Sequence, residues 1–213
     1  MKTYDIIIAT PGFTVTQQYL GSLMDTIEVL NEQKITWKVI NYGASYVRMA
    51  RDAIMNLGQD FNLDNQTPFL GEFDYKKIMW IDNDISWKPE DILKLYKSER
   101  DIICGAYMTS DGTIAVSFDG MNVANPEQIP TNRESRVVTC GFGFICIKKG
   151  VFEKMPKPWF DNEVFEINGQ QMTYAGEDVS WCHKARRSGF EIWFDPNVSV
   201  IHYKVSPLKW NKG

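Results

Sequence analysis

The sequence predicts an α/β fold built on a largely parallel sheet, and three observations carry that reading. Isoleucine-rich runs alternate with amphipathic stretches through the first hundred residues, in the order strand, helix, strand, helix, strand, helix, strand. The first run, residues 4–10, is rich in isoleucine and continuously apolar from Ile6 to Ala9, as a buried strand requires. Turn and start signals punctuate the alternation: Pro11-Gly12 closes the first strand, and Pro89 opens a helix at its first turn.

The elements follow in order. Residues 4–10 form the first strand. Leu20, Leu23, Met24, Ile27 and Leu30 recur at helical spacing and place an amphipathic helix over 15–32. Residues 35–41 read as the second strand and 44–57 as the second helix. A polar stretch with Asn, Gln and Pro, 59–74, reads as a loop. Residues 77–81 form the third strand, 89–97 a helix and 101–105 the fourth strand. The pattern then changes. Residues 114–118 and 136–148 read as strands with no long helix between them, so a mixed or antiparallel addition is expected. Residues 156–175 read as a loop, 177–188 as a short helix ended by Gly189, and 191–194 and 198–203 as short strands. The tail from Ser206 is polar and expected to be mobile.

With 213 residues, 44% hydrophobic and 23% charged, the chain is long enough for one cored domain, and global disorder is excluded. The change of pattern after the fourth strand divides that single domain into a first half, 1–105, and a second half, 106–213. A net charge of −4 gives no broad basic face, so nucleic acid is not the expected partner. The apolar run Ile6–Ala9 is too short for a signal peptide, and no stretch of eighteen apolar residues occurs. No membrane span is expected, and a cytoplasmic setting is. Cys104, Cys140, Cys146 and Cys182 show no C-x-x-C spacing, which argues against a zinc site and for reduced thiols.

The most informative segment is KKIMWIDNDISWKPED. A strand delivers Asp82 and Asp84 to its carboxyl end, where open parallel sheets bind ligands. Two residues apart, the side chains share one face of an extended backbone. Two close carboxylates repel unless a cation sits between them, and Mg²⁺ or Mn²⁺ suits oxygen ligands while leaving positions for phosphate. A solvated turn is the alternative. Gly12 permits close backbone approach after the first strand, although an ordinary turn explains it as well. Arg48 and Arg51 lie three apart on one helix face and suit phosphate; an Arg51–Asp52 surface pair is the alternative. Tyr42 ends the second strand, either as a base-stacking ring or as a surface aromatic. Glu177-Asp178 opens a helix, as caps or as a catalytic pair. Gly141 and Gly143 flank Phe142 in a strand and mark a close approach of backbone or ligand. Trp159 reads as a sugar platform or a structural ring.

Taken together, IIIATPGF, ASYVRMARDAIM, MWIDNDISWKPEDILKL, TCGFGFICIKKGVFEKMPKPWF and GEDVSWCHKARRSGFEIWFDPNVSVIH resemble, in that order, the segments of a GT-A-fold glycosyltransferase of the broad family-2-like group. The resemblance covers nearly the whole chain. It departs from the family at Asp52, where asparagine is usual after the arginine. The resemblance implies a metal-dependent hexosyltransferase moving sugar from a nucleotide-sugar, UDP-linked before GDP-linked, to a hydroxyl acceptor. It implies that Thr10, Pro11 and Gly12 meet the nucleotide with Tyr42, Arg48, Arg51 and Asn83. Asp82 then contacts ribose or reaches the metal, Asp84 binds the metal, and His202 adds a ring nitrogen. An imidazole ligand favours Mn²⁺ over Mg²⁺. Asp178 is implied as the base on the acceptor hydroxyl and Glu177 as a donor-sugar contact. His183 is a weaker acceptor contact, and Lys204 and Trp210 are candidates to close over the diphosphate. Inversion or retention stays open. Two other functions remain: a nucleotidyltransferase, disfavoured by the lack of a glycine-rich, lysine-bearing first loop, and a non-catalytic nucleotide-sugar-binding module.

Overall fold

The computed structural model describes residues 1–59, 62–167, 169–172 and 175–204. The sequence-based expectations for Trp210 and the polar tail therefore lie outside the described residues.

The strands are β1 (Thr3–Pro11), β2 (Trp37–Tyr42), β3 (Asp74–Ile81), β4 (Ile85–Ser86), β5 (Ile102–Ala106), β6 (Val116–Ser117), β7 (Ser135–Val137), β8 (Thr139–Cys140), β9 (Phe144–Lys148), β10 (Phe165–Ile167), β11 (Gln170–Met172), β12 (Ile192–Ser199) and β13 (Ile201–His202). The α-helices are α1 (Gln17–Glu32), α2 (Val47–Met55), α3 (Pro89–Lys97), α4 (Val151–Lys154) and α5 (Glu177–Arg187). Seven strands form one sheet in the order β2-β1-β3-β9-β5-β12-β7. Five of them, β2, β1, β3, β5 and β12, run the same way; β9 and β7 run against them. The fold is thus mixed α/β with a mostly parallel central sheet flanked by helices.

Strand alternation explains the two-sided core. Ile7 and Ala9 of β1, Ile78 and Trp80 of β3, and Ile145 and Ile147 of β9 face one way, against α2, α4 and α5. Ile6 and Ile8, Met79 and Ile81, and Phe144 and Cys146 face the other way, against α1 and α3. Both faces are covered, so the central strands carry no polar alternation.

The structure amends the sequence reading in three places. The expected strand over 136–148 is three strands, because Gly141, Phe142 and Gly143 turn the chain between β8 and β9. The expected loop over 156–175 contains the β10–β11 hairpin. The strand expected to start at 198 is split. Residues up to Ser199 continue β12, and Ile201–His202 then leaves the main sheet to pair with β4. The antiparallel addition is also more than an addition. Strand β9, from the second half of the chain, lies between β3 and β5 of the first half. No helix among the described residues is long and apolar enough to cross a membrane.

Because β9 is fully enclosed, its side chains bear on both layers. Replacing Ile145, which is completely buried, by Ala should cost about 2–5 kcal/mol. Urea unfolding should show a lower midpoint with an unchanged slope.

Candidate active site

The carboxyl ends of the parallel strands meet at one edge, and the two-stranded ribbon β4–β13 closes it. In that ribbon His202 stands opposite Ile85, and the Tyr203 N–H donates to the Asp84 carbonyl at 2.8 Å. The backbone pairing carries His202 to Asp84 across 118 positions of sequence, as no local signal would. The His202 Nε2 lies 3.2 Å from Asp84 Oδ2, and its Nδ1 lies 2.9 Å from the Met108 carbonyl. A carbonyl only accepts, so Nδ1 carries the hydrogen. In the neutral ring Nε2 then presents a lone pair to a carboxylate oxygen. Two acceptors at that distance need a proton or a metal cation between them. Nδ1–H fixed on a carbonyl with Nε2 free is also the arrangement that orients a metal-binding histidine. Lys204 Nζ lies 3.0 Å from the same Asp84 oxygen, so the carboxylate also has a cationic partner from the chain itself.

Asp82 is differently engaged. Arg51, 3% exposed at its side chain, reaches from α2 to Asp82 Oδ1 at 3.1 Å and to Glu177 Oε1 at 3.4 Å. Its guanidinium also lies over the rings of Trp80 and Phe142, 5.0 Å from the latter's centroid. One buried cation thus ties α2, the end of β3 and the start of α5 together above an aromatic floor. This corrects the Arg51–Asp52 surface pair offered by the sequence. It also means that Asp82, Asp84 and His202 do not converge as a three-ligand set. Among the described residues no group of three or more His, Cys, Asp or Glu is arranged to hold a metal alone. Asp84 and His202 are the two groups whose donor atoms could be shared by a divalent cation; Asp82 stands beside them, held by Arg51.

A pocket of about 290 Å³ opens next to this pair, with Asp82, Asp178, His202 and Lys204 on its walls. Asp178 is held with Oδ1 accepting from the N–H of Val179 at 2.7 Å. Burial, aided by the charge of Glu177, pushes its carboxyl up to about 6. That value suits a base working near neutrality: mostly ionised, yet more basic than an exposed aspartate. Tyr107 lines the same pocket, and the sequence reading missed it. A Cβ on Gly141 would come within 1.9 Å of its hydroxyl, and one on Gly143 within 2.7 Å of its ring. The two glycines therefore make room for a buried phenol, which accepts from the Gly143 N–H at 3.2 Å and packs edge-on against His202. The pair G-F-G was the only sequence signal, and it could not name the visitor. Burial, with the charges of Asp82 and Asp178, holds this phenol well above its usual pKa, so it stays protonated.

The remaining sequence-named residues divide. Thr10 is buried, with its hydroxyl bonded to Tyr19, so its side chain is turned away from any ligand. Pro11 ends β1 in the interior. Gly12, at φ +140°, lies against Asn83; a Cβ there would come within 2.6 Å of the amide nitrogen, which donates to the Thr14 carbonyl. Asn83 thus ties the first loop to the acidic segment. Tyr42 packs its ring against Gly58 and takes the Gly12 N–H on its carbonyl. Arg48 pairs with Asp161 at 2.9 Å, half-exposed, away from the Asp84–His202 pair. Trp159 is fully buried, with its indole N–H donating to the carbonyls of Phe152 and Met155. This corrects the sugar-platform reading. His183 is half-buried, and burial with Arg186 and Arg187 lowers its pKa.

Two predictions follow from the buried charges. Removing Arg51 as Arg51→Met leaves Asp82 and Glu177 without their shared cation and should cost about 3–5 kcal/mol by denaturant unfolding. For Asp178, the native pKa lies above the unfolded value of about 3.9. The native state therefore holds the proton more tightly, and Asp178 makes stability fall as pH rises from about 4 to about 6. Asp178→Asn should match wild type near pH 3.5 and exceed it by about 2–3 kcal/mol at pH 8. Thermal unfolding across that range checks the sign.

No protein-family profile and no curated protein sequence matches the chain. Among solved structures it is similar to A197 from STIV, with a TM-score of 0.58 and 17% sequence identity over 96% of this chain and 87% of that one. That likeness shows a shared fold.

Proposed function

We propose that the chain is a GT-A-type glycosyltransferase, in which Asp84 and His202 hold a divalent cation, Mn²⁺ before Mg²⁺, and Asp178 is the base. The observation that carries the reading is the facing pair of acceptors, Asp84 Oδ2 and His202 Nε2, whose imidazole shares a pocket with Asp178, a half-buried aspartate of raised pKa. Asp84 and His202 would hold the cation, which would supply positive charge for the diphosphate leaving group of a nucleotide-sugar, UDP-linked in the first instance.

The chain's own residues supply the rest. Arg51 fixes Asp82 and Glu177 so that neither can swing into the base's place. Asp178, set one residue on, faces the pocket and takes the proton of an acceptor hydroxyl. The Tyr107 hydroxyl accepts from the chain and keeps its own hydrogen to donate into the pocket. Lys204 brings a mobile-stemmed positive charge to the same rim. Gly12 and Asn83 hold the first loop at the strand edge, where a nucleotide would lie. A cytoplasmic enzyme with a glycan, lipid or protein hydroxyl as acceptor is part of the same proposal.

The test is ligand-induced stabilisation. UDP with Mn²⁺ at about a hundred times its Kd should add about 2.7 kcal/mol, or roughly 5–10 °C in melting temperature for a chain of this size. Asp84→Asn and His202→Ala should lose that shift, and Asp178→Asn should keep it while losing transfer. An equal shift in all four proteins, or none in wild type, would remove the assignment. Where transfer is measured, log kcat/KM should fall on the acid side below about pH 6, as Asp178 becomes protonated.

A further inference from the structure

A second face of α2 builds a cavity that the chemistry above does not use. Arg48, Asp52 and Asn56 recur at four-residue spacing and, with Met49 and Ala53, line a hollow of about 500 Å³. That volume lies within the ~300–1,000 Å³ typical of small-molecule sites. Pro158 and Asp161 form the opposite wall. The polar groups are braced. Asn56 donates to the Asp52 carbonyl at 2.8 Å and accepts from Lys157 Nζ at 2.9 Å. Asp52 Oδ1, by contrast, is buried with no hydrogen-bond partner among the described residues. A buried acceptor left in this state costs about 1–3 kcal/mol.

The lining selects the ligand class. Asp52 and Asp161 repel an anion, while Arg48 and the nearby Lys157 repel a cation. Burial pushes the Asp52 carboxyl up to about 7, so at neutral pH it both gives and takes a hydrogen bond. Paired donors and acceptors around a short apolar strip of Met49, Ala53 and Pro158 fit a neutral ring bearing many hydroxyls. The cavity also leads somewhere. Arg48 belongs as well to a neighbouring recess of about 400 Å³ that contains Glu177 and Tyr46, the latter 72% exposed. Glu177 is the residue before the proposed base.

We propose that the cavity between α2 and Pro158–Asp161 is a distal subsite for a neutral oligosaccharide acceptor, holding a sugar residue some way from the reacting hydroxyl. The acceptor role rests on the glycosyl-transfer reading; sugar binding in the cavity does not. The recess at Tyr46 and Glu177 would then take the intervening residues, so a single sugar cannot span both positions.

An array of immobilised neutral oligosaccharides, from one to six residues, tests this with wild type, Ala53→Trp and Asp52→Asn, alongside the melting shift with UDP and Mn²⁺. Ala53→Trp fills the hollow, and Asp52→Asn keeps its shape but changes its bonding. Wild type should retain oligosaccharides over monosaccharides. Both variants should bind at least tenfold more weakly, with the UDP–Mn²⁺ shift unchanged as proof of folding and of an intact nucleotide site. No oligosaccharide bound by wild type, or binding undiminished in Asp52→Asn and Ala53→Trp, overturns the proposal. Binding that follows the variants in a protein showing no UDP–Mn²⁺ shift keeps the subsite and overturns glycosyl transfer.

Discussion

The arrangement of this edge of the molecule depends on one buried guanidinium. Arg51 sits on an aromatic floor and divides its hydrogen bonds between Asp82 at the end of β3 and Glu177 at the start of α5. Three segments far apart in sequence are thereby held in register. A buried ion of this kind is not a large source of stability, since desolvation offsets most of the attraction. Its value lies in direction: with Asp82 and Glu177 both committed to Arg51, Asp178 is the acid of the pocket wall left without a cation, while Asp84 turns to His202 and Lys204.

That division of labour gives four carboxylates different characters in a small volume. Asp82 and Glu177 are paired with a permanent cation. Asp84 faces an imidazole whose other nitrogen is bonded to a carbonyl. Asp178 has burial and a like charge beside it, and its pKa rises. Environments that push neighbouring acids apart are how a site assigns a base and a cation ligand from the same residue type. Tyr107 completes the wall. Its phenol fits only because Gly141 and Gly143 carry no Cβ, so a neutral donor reaches the pocket where a side chain would otherwise stand.

Much of the scaffold was legible because its signals are local. The alternation of apolar runs and amphipathic stretches located β1, β2, β3 and β5 and α1 to α3 within a few residues. Strand partnership is not local. Nothing in the run Phe144–Lys148 says that it inserts between β3 and β5, or that the chain after Ser199 crosses to β4. The site shows the same limit. Only the family resemblance linked Asp84 with His202, and the structure brings the two side chains together. Asp82 was named with them but is claimed by Arg51. Arg51 and Asp52 are sequence neighbours, yet successive helical residues point about 100° apart, so one enters the core and the other a separate cavity. Trp159 stood open between a sugar platform and a structural ring, and the structure selects the second, because Phe152 and Met155 offer its indole N–H carbonyls in a buried seat.

The most direct measurement is of the atom bound to the cation. Pulsed electron paramagnetic resonance of Mn²⁺ with UDP and the protein reads the hyperfine coupling of a directly bound ¹⁴N nucleus. The proposed pairing of Asp84 and His202 as cation ligands predicts an imidazole coupling in wild type that disappears in His202→Gln and persists in His183→Gln. A spectrum without nitrogen coupling, or one that His202→Gln leaves unchanged, would contradict the account.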